Sequence, residues 1–248
     1  MQLQKFFKQN PRIAVAFSGG VDSAYLLYAA KTAGCDVRAY FIKSQFHPRI
    51  ELNDAIRVAG RLGVSLTVDA LNVLADPDVA MNPLDRCYYC KTQMLKRLRE
   101  LAHADGFNVL CDGTNADDDE SDRPGIRALG EQGVLSPLRD NGITKSEIRL
   151  LSKQADLPTH DKPSYSCLAT RIPAGTPITV RLLEKIERAE ETLYSLGFSD
   201  LRVRFVPPDC AKIQLTEGQL GSVSELRADI VTAFRPYFNS IVLDLIPR

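Results

Sequence analysis

Ala16-Phe17-Ser18-Gly19-Gly20-Val21-Asp22-Ser23 is the stretch that decides how the rest of this chain reads. The apolar run 13–17 before it has the character of a buried strand, and the apolar positions of 24–33 after it suit a helix. A strand, a glycine turn and a helix form a phosphate-binding arrangement. Gly19 and Gly20 reach backbone angles closed to other residues, so consecutive N–H groups can converge on an anion at the helix N-terminus. Ser18 and Ser23 add hydroxyl donors. The P-loop of ordinary NTPases ends in Gly-Lys-Ser/Thr; this loop carries Asp22 and no lysine. The bland alternative, an ordinary glycine turn between a strand and a helix, fits less well this close to the start of an α/β chain.

Lys plus Arg and Asp plus Glu both total 31, so no global positive field draws the protein to nucleic acid or an anionic membrane, and a small-molecule substrate is expected. The first twelve residues have Leu3, Phe6 and Phe7 at helical spacing without the apolar core of an export signal, and no run approaches membrane-spanning length. With six cysteines and no export signal, a reducing, cytoplasmic setting is expected, the cysteines being thiols or metal ligands rather than disulfides.

Further along, 37–42 reads as a second strand, 49–62 as a helix and 65–70 as a third strand, so the alternation predicts a parallel sheet. Ligands of doubly wound sheets bind at the carboxyl edge, where Lys43, Ser44 and Gln45 fall within reach of an adenine or ribose. After the loop holding Asp76-Pro77-Asp78 and Asn82-Pro83 comes a helix with Leu95, Leu98, Leu101 and Ala102 on one stripe. A strand at 109–111 then runs into Asp112-Gly113-Thr114-Asn115. Thr144 and Glu147 form a capping box for a helix through Ala155. The proline-rich stretch 159–177 reads as an active-site loop and linker. Beyond it, an amphipathic helix over 179–196, alternating strands at 201–205 and 211–215, a helix carrying Leu220 to Phe234 and a strand at 241–246 make a small α+β unit. The expected architecture is α/β: a parallel-sheet domain over 1–160, a loop and linker over 161–178 and a C-terminal α+β domain over 179–248.

Cys87 and Cys90 stand three apart on one helix face, and Cys167 lies in the irregular loop. Three soft ligands fall one short of a closed zinc site, whereas on a four-iron cluster they leave one iron open. A lone pair at this spacing equally suits two buried helix cysteines. Cys35, Cys111 and Cys210 lie in or beside apolar runs and read as core. His47, His103 and His160 lack metal spacing, Asp117 to Glu120 reads as a solvated acidic turn, and Glu187, Glu190 and Glu191 read as the exposed side of a helix.

Ser18 to Ser23 resembles the signature of the PP-loop ATP pyrophosphatases, which hold the pyrophosphate end of ATP while the α-phosphorus is attacked. Asn82-Pro83-Leu84-Asp85-Arg86-Cys87-Tyr88-Tyr89-Cys90-Lys91, Asp112-Gly113-Thr114-Asn115, Arg123-Pro124-Gly125, Ser136-Pro137-Leu138, the segment from Lys162-Pro163 through Cys167-Leu168-Ala169-Thr170-Arg171, and Arg202-Val203-Arg204 resemble the LarE family over most of the chain. That resemblance implies an ATP-dependent sulfur transferase that adenylates carboxylates of pyridinium-3,5-biscarboxylic acid mononucleotide and converts them to thiocarboxylates for the nickel-pincer nucleotide cofactor.

Carried over, Ser18, Gly19, Gly20, Asp22 and Ser23 hold the ATP phosphates, with Asp22 the partner of Mg2+. Ser44 lies near the adenine, and Asp112, Gly113, Thr114 and Asn115 face the same edge. Arg202 and Arg204 take the substrate phosphate, the plain alternative being a solvated strand face. In single-cysteine members the equivalent of Cys167 surrenders its own sulfur; in members with all three cysteines a [4Fe-4S] cluster is implied. This chain has Cys87, Cys90 and Cys167, so the cluster form is preferred, with sacrificial Cys167 second. One departure is Gln214, where the family is expected to have glutamate; an amide neither acts as a carboxylate base nor binds Mg2+ strongly, which leaves the substrate in question. The expected form is a homo-oligomer acting on a small nucleotide. An RNA-modifying thiolase of the same superfamily is the first rival, and would need a basic tract for the RNA backbone.

Overall fold

The computed structural model describes residues 2–118 and 124–248. By contacts the chain forms two compact units, one of 1–73 with 85–165, the other of 74–84 with 166–248. The stretch expected to be a loop and linker, 161–178, is therefore shared between the units, and 74–84 joins the second.

In chain order the elements are α1 (Gln2–Gln9), β1 (Arg12–Ala16), α2 (Val21–Thr32), β2 (Asp36–Lys43), α3 (Arg49–Leu62), β3 (Leu66–Ala70), α4 (Pro77–Ala80), α5 (Arg86–Ala104), β4 (Leu110–Cys111), α6 (Pro124–Glu131), α7 (Pro137–Asp140) and α8 (Lys145–Gln154). There follow α9 (Val180–Ser195), β5 (Arg202–Val206), β6 (Cys210–Gln214), α10 (Glu217–Leu220), α11 (Ser222–Glu225), α12 (Arg227–Phe234) and β7 (Ser240–Leu243). Arg123 and the end of the acidic run, Asp119 and Glu120, lie outside the described residues.

The first unit is a parallel sheet in the order β3-β2-β1-β4, and Leu135 bridges Cys111 in parallel beyond β4. Strand periodicity explains its two cores. Ile13, Val15, Ala39 and Phe41 face one side and meet Leu26, Leu27 and Ala30 of α2 with Ala55, Val58 and Ala59 of α3. Ala14, Tyr40, Ile42 and Leu110 face the other, against Leu95, Leu98 and Ala102 of α5 and Ala128 and Leu129 of α6. The helix α2 is buried on nearly every side along its apolar run from Ala24 to Ala30. The predicted capping box is present: Thr144 accepts from the Glu147 N–H, and Glu147 from that of Thr144.

The order of strands matters for function. From β1 the chain passes outward to β2 and β3, then returns to β4 on the opposite side of β1. The carboxyl ends of β1 and β4 thus flank the topological switch point, the crevice where such sheets take ligands.

The second unit is a three-stranded mixed sheet, β5 antiparallel to β6 and β6 parallel to β7. The segment 74–84 is tied into it by Asn82, whose side chain is fully buried and donates to the carbonyls of Pro173 (2.9 Å) and Thr176 (3.1 Å), while its own carbonyl accepts from Gly175. The helix expected from Leu220 to Phe234 is three short ones, α10, α11 and α12. Gly221 and Leu226 break it at their junctions, because a glycine followed by serines offers little helical drive.

Candidate active site

The predicted phosphate loop takes the left-handed backbone expected of its glycines at Gly19 but not at Gly20, whose φ of −82° is open to any residue. Gly19 takes φ +70°, and a Cβ there would sit 3.0 Å from the Ala55 nitrogen, so only glycine lets the loop lie against α3. Gly20 is the N-cap of α2, and no side chain caps that helix. Its first-turn amides and dipole are left for an anion. The hydroxyls of Ser18 and Ser23 lie 3.1 Å apart; Gly20 N–H donates to Ser18 (3.3 Å), and Ser23 donates to the Gly20 carbonyl (3.3 Å). Asp22 turns Oδ2 to Lys145 Nζ at 2.5 Å, while its Oδ1 is buried without a hydrogen-bond partner among the described residues. A carboxylate oxygen left unpaired in the loop suits Mg2+, a hard cation that takes one or two carboxylates together with phosphate oxygens.

The turn after β4 forms the other side of the crevice. Asp112 is buried and holds the turn in shape: Oδ1 accepts from Ser136 Oγ (2.7 Å) and the Thr114 N–H (3.2 Å), Oδ2 from Thr114 Oγ1 (2.5 Å). Asn115 accepts from the Asp117 N–H at 2.9 Å, and Asp117 accepts from the Lys145 N–H at 2.8 Å. Gly113 meets α2 so closely that a Cβ would fall 2.7 Å from the Ser23 nitrogen. The two predicted segments are thus brought together. Two lysines at this site carry no role in the sequence reading, Lys145 and Lys162, although Lys162 opens one of the quoted motif segments; they come 123 and 143 residues after the loop groups they meet.

At the end of β2, Ser44 is buried, and its hydroxyl lies 2.9 Å from His47 Nδ1 while accepting from the Phe46 N–H at 3.3 Å. Its side chain shapes this edge from within, and a nucleotide here would meet the loop that Ser44 braces. His47, given no role from sequence, is the brace. Burial, then the charge of Lys43, pushes its imidazole down to about 4. A lowered histidine pKa means that the unfolded chain binds the extra proton between pH 6.5 and 4. Stability is therefore full above about pH 6.5 and falls towards pH 4, by on the order of 2 kcal/mol. Denaturant titrations at pH 7 and pH 4.5 are expected to show this loss and His47→Gln to reduce it; an undiminished loss in the variant excludes His47 as its source.

Cys87 is exposed and Cys90 half-buried, one turn apart at the start of α5. Arg86 Nη2 lies 3.5 Å from Cys87 Sγ, and Cys90 Sγ is 3.9 Å from Met94 Sδ. Two thiols with a cation at a helix N-terminus suit an anionic metal-sulfur ligand set. Among the described residues, no group of three or more His, Cys, Asp or Glu is gathered to hold a metal ion. Cys111 is core, as read from sequence; burial first, then Asp112, pushes its thiol up to about 12.

Cys167 belongs to the second unit and precedes a tight 3-10 turn, Leu168–Arg171. Its carbonyl accepts from Thr170 N–H (3.0 Å), Thr170 Oγ1 (2.8 Å) and Arg171 Nη1 (3.4 Å). Arg171, fully buried, makes a two-pronged pair with Glu190, Nε to Oε1 at 2.8 Å and Nη2 to Oε2 at 3.2 Å, and donates to the Ser166 carbonyl at 2.8 Å. Glu190 also accepts from the Val203 N–H at 2.9 Å. This corrects the expectation that Glu190 is exposed. Its spacing from Ile186 and Leu193 placed it on the inward stripe, and only its charge argued otherwise.

Arg202 is buried and Arg204 half-buried, so neither lies on a solvated face. Arg204 donates to Gln214 Oε1 (2.5 Å) and the Thr170 carbonyl (2.8 Å), and Gln214 passes the contact on to Asp244 at 2.8 Å. Burial, then the guanidinium groups of Arg171 and Arg248, lowers the Arg204 pKa. A guanidinium under such repulsion favours an incoming anion.

A parallel sheet with a lysine-free glycine loop at its switch point defines a PP-loop nucleotide-binding domain of the HUP class, and the tRNA methyl transferase HUP domain family matches residues 11–73. Beyond that class, the chain is 33% identical over 216 residues, 86% of its length and 78% of the relative's, to the pyridinium-3,5-bisthiocarboxylic acid mononucleotide synthase of Lactiplantibacillus plantarum. The chain belongs to this family, the LarE enzymes, ATP-dependent sulfur transferases of the PP-loop superfamily. It is 37% identical over 247 residues to an uncharacterized protein of Synechocystis sp., with 98% of this chain and 92% of that one covered. A tRNA-specific 2-thiouridylase of Hahella chejuensis is 24% identical over 196 residues, 62% of this chain and 52% of that one.

Proposed function

We propose that this protein uses ATP to adenylate a carboxylate of pyridinium-3,5-biscarboxylic acid mononucleotide and replaces it with a thiocarboxylate, in the making of the nickel-pincer nucleotide. The observation that carries the reading is the phosphate loop at the switch point, in a chain resembling the Lactiplantibacillus plantarum synthase over 86% of its length. The loop amides with Ser18 and Ser23 hold the triphosphate, and Asp22 takes Mg2+ through the oxygen it leaves unpaired. A substrate carboxylate oxygen attacks the α-phosphorus and pyrophosphate leaves; a sulfur nucleophile then attacks the acyl carbon and AMP leaves. Positioning and charge neutralisation supply the catalysis. Arg202 and Arg204 hold the substrate phosphate, a role supported for Arg204 by its neutral partners, Gln214 Oε1 and the Thr170 carbonyl, and by the burial and neighbouring guanidinium charge that lower its pKa.

Cys87, Cys90 and Cys167 are proposed as ligands of a [4Fe-4S] cluster, a group that supplies an open iron able to carry sulfide. Arg86 beside Cys87 supports the charge requirement. The second reading makes Cys167 itself the nucleophile: its thiolate displaces AMP, a base removes the Cα proton, and the Cβ–S bond breaks to leave dehydroalanine and the thiocarboxylate. The backbone hold on Ser166 and Cys167 favours keeping that residue in place for either role.

Among the described residues, no helix is long and apolar enough to cross a membrane. The proposal places the protein in the cytoplasm as a homo-oligomer. Anaerobic purification with iron and sulfide analysis, followed by one turnover with ATP and the biscarboxylate nucleotide, tests these readings. Pyrophosphate release with thiocarboxylate formation and about four irons per chain is expected. A colourless protein whose Cys167 loses the mass of one hydrogen sulfide molecule replaces the cluster by the sacrificial route. Thiolation of tRNA without turnover of the small nucleotide overturns the substrate.

A further inference from the structure

A triphosphate needs positive partners, and this loop brings a carboxylate where a P-loop brings lysine. Two distant lysines stand at the loop in different situations. Lys145 pairs with Asp22, and its departure would leave that carboxylate without a cation. Lys162 is held otherwise. Its Nζ donates to the Gly19 carbonyl at 3.2 Å and pairs with Asp54 at 2.7 Å, and Asp54 is also paired with Arg57 at 2.6 Å. One carboxylate there carries two cations. Lys162 can leave Asp54 without stranding a charge, because Arg57 stays behind. Its ammonium already touches the crown of the loop, and its side chain is only 23% exposed, so little hydration is lost when it turns to phosphate.

From this geometry we propose that Lys162 is the phosphate-binding cation of the site, resting on Asp54 and moving onto the pyrophosphate end of ATP when nucleotide enters, while Lys145 stays to hold Asp22 with Oδ1 turned to the metal. The proposal rests on the reading of the loop as an ATP site and adds the residue that supplies the missing charge.

The test is calorimetric titration of the full chain with ATP, inorganic pyrophosphate and AMP in excess Mg2+, for wild type, Lys162→Gln, Lys162→Arg and Asp54→Asn. Lys162→Gln is expected to weaken pyrophosphate and ATP about tenfold or more and AMP less than twofold; Lys162→Arg restores most of the loss. Asp54→Asn removes the resting partner, so pyrophosphate is expected to bind as tightly as in wild type or several-fold tighter. If Lys162 is only a strut between Asp54 and the loop, Asp54→Asn weakens pyrophosphate as Lys162→Gln does, and the proposal falls. It falls too if Lys162→Gln leaves pyrophosphate unchanged or weakens AMP equally. A wild-type chain that binds neither ATP nor pyrophosphate overturns the nucleotide reading itself, and with it this one.

Discussion

Glu190→Ala is expected to cost about 3–5 kcal/mol, among the largest losses any single substitution in this chain can produce. The change leaves the guanidinium of Arg171, whose side chain is fully buried, without its carboxylate, and takes the acceptor from the Val203 N–H. Breaking one half of a buried pair costs more than the pair contributes, because the remaining charge keeps its desolvation penalty. Glu190→Gln retains an acceptor and is expected to lose less, about 1.5–3 kcal/mol, the worth of hydrogen bonds to a charged group. Urea unfolding of the three proteins measures both. The pair also carries the turn that bears Cys167, since Arg171 donates to the Ser166 and Cys167 carbonyls. Sulfur transfer by Glu190→Gln is therefore expected to fall even where the protein remains folded. A Glu190→Ala protein within about 1 kcal/mol of wild type would show that the ion pair does not hold this turn.

Gly113→Ala is the second large effect, and here the loss is of binding. The added methyl would stand 2.7 Å from the Ser23 nitrogen and 3.0 Å from its Cα, both backbone atoms in the first turn of α2. Neither can step aside as a flexible side chain would. The strain separates the turn after β4 from the phosphate loop and costs about 1–3 kcal/mol in stability. ATP affinity is expected to fall by about tenfold or more, because the Ser23 amide that the methyl would displace belongs to the loop proposed to hold the phosphates. Gly130→Ala, in α6 with nothing within 4 Å of the new methyl, is the matched control and is expected to be neutral or to stabilise by up to about 1 kcal/mol. Equal ATP affinity in Gly113→Ala and wild type would separate that turn from the nucleotide site.

The contrast between these positions shows what can be read along a chain. Local and periodic features were legible: the phosphate loop from its glycines between strand and helix, the α8 capping box from Thr144 and Glu147, and the core role of Cys111 from its apolar run. Glu190 was half-legible, its phase on α9 pointing inward while its charge suggested water. Helix α6, between the undescribed end of the acidic run and Leu135, was not anticipated, although Ile126, Ala128 and Leu129 are buried on it.

The sequence by itself determined a parallel-sheet nucleotide domain with a phosphate loop after its first strand, and a smaller α+β unit following it in the chain, because backbone conformation and apolar periodicity are set by neighbours within a few residues. Only the tertiary structure decided which charges serve that loop: Lys145 on Asp22, and Lys162 on Asp54 and the Gly19 carbonyl. It decided likewise that Arg171 is held by Glu190. A charged side chain is long, and its sequence looks the same whether it ends in water or against a carboxylate. Its partner is chosen by strand order and helix packing, which at the loop bring together residues more than a hundred positions apart.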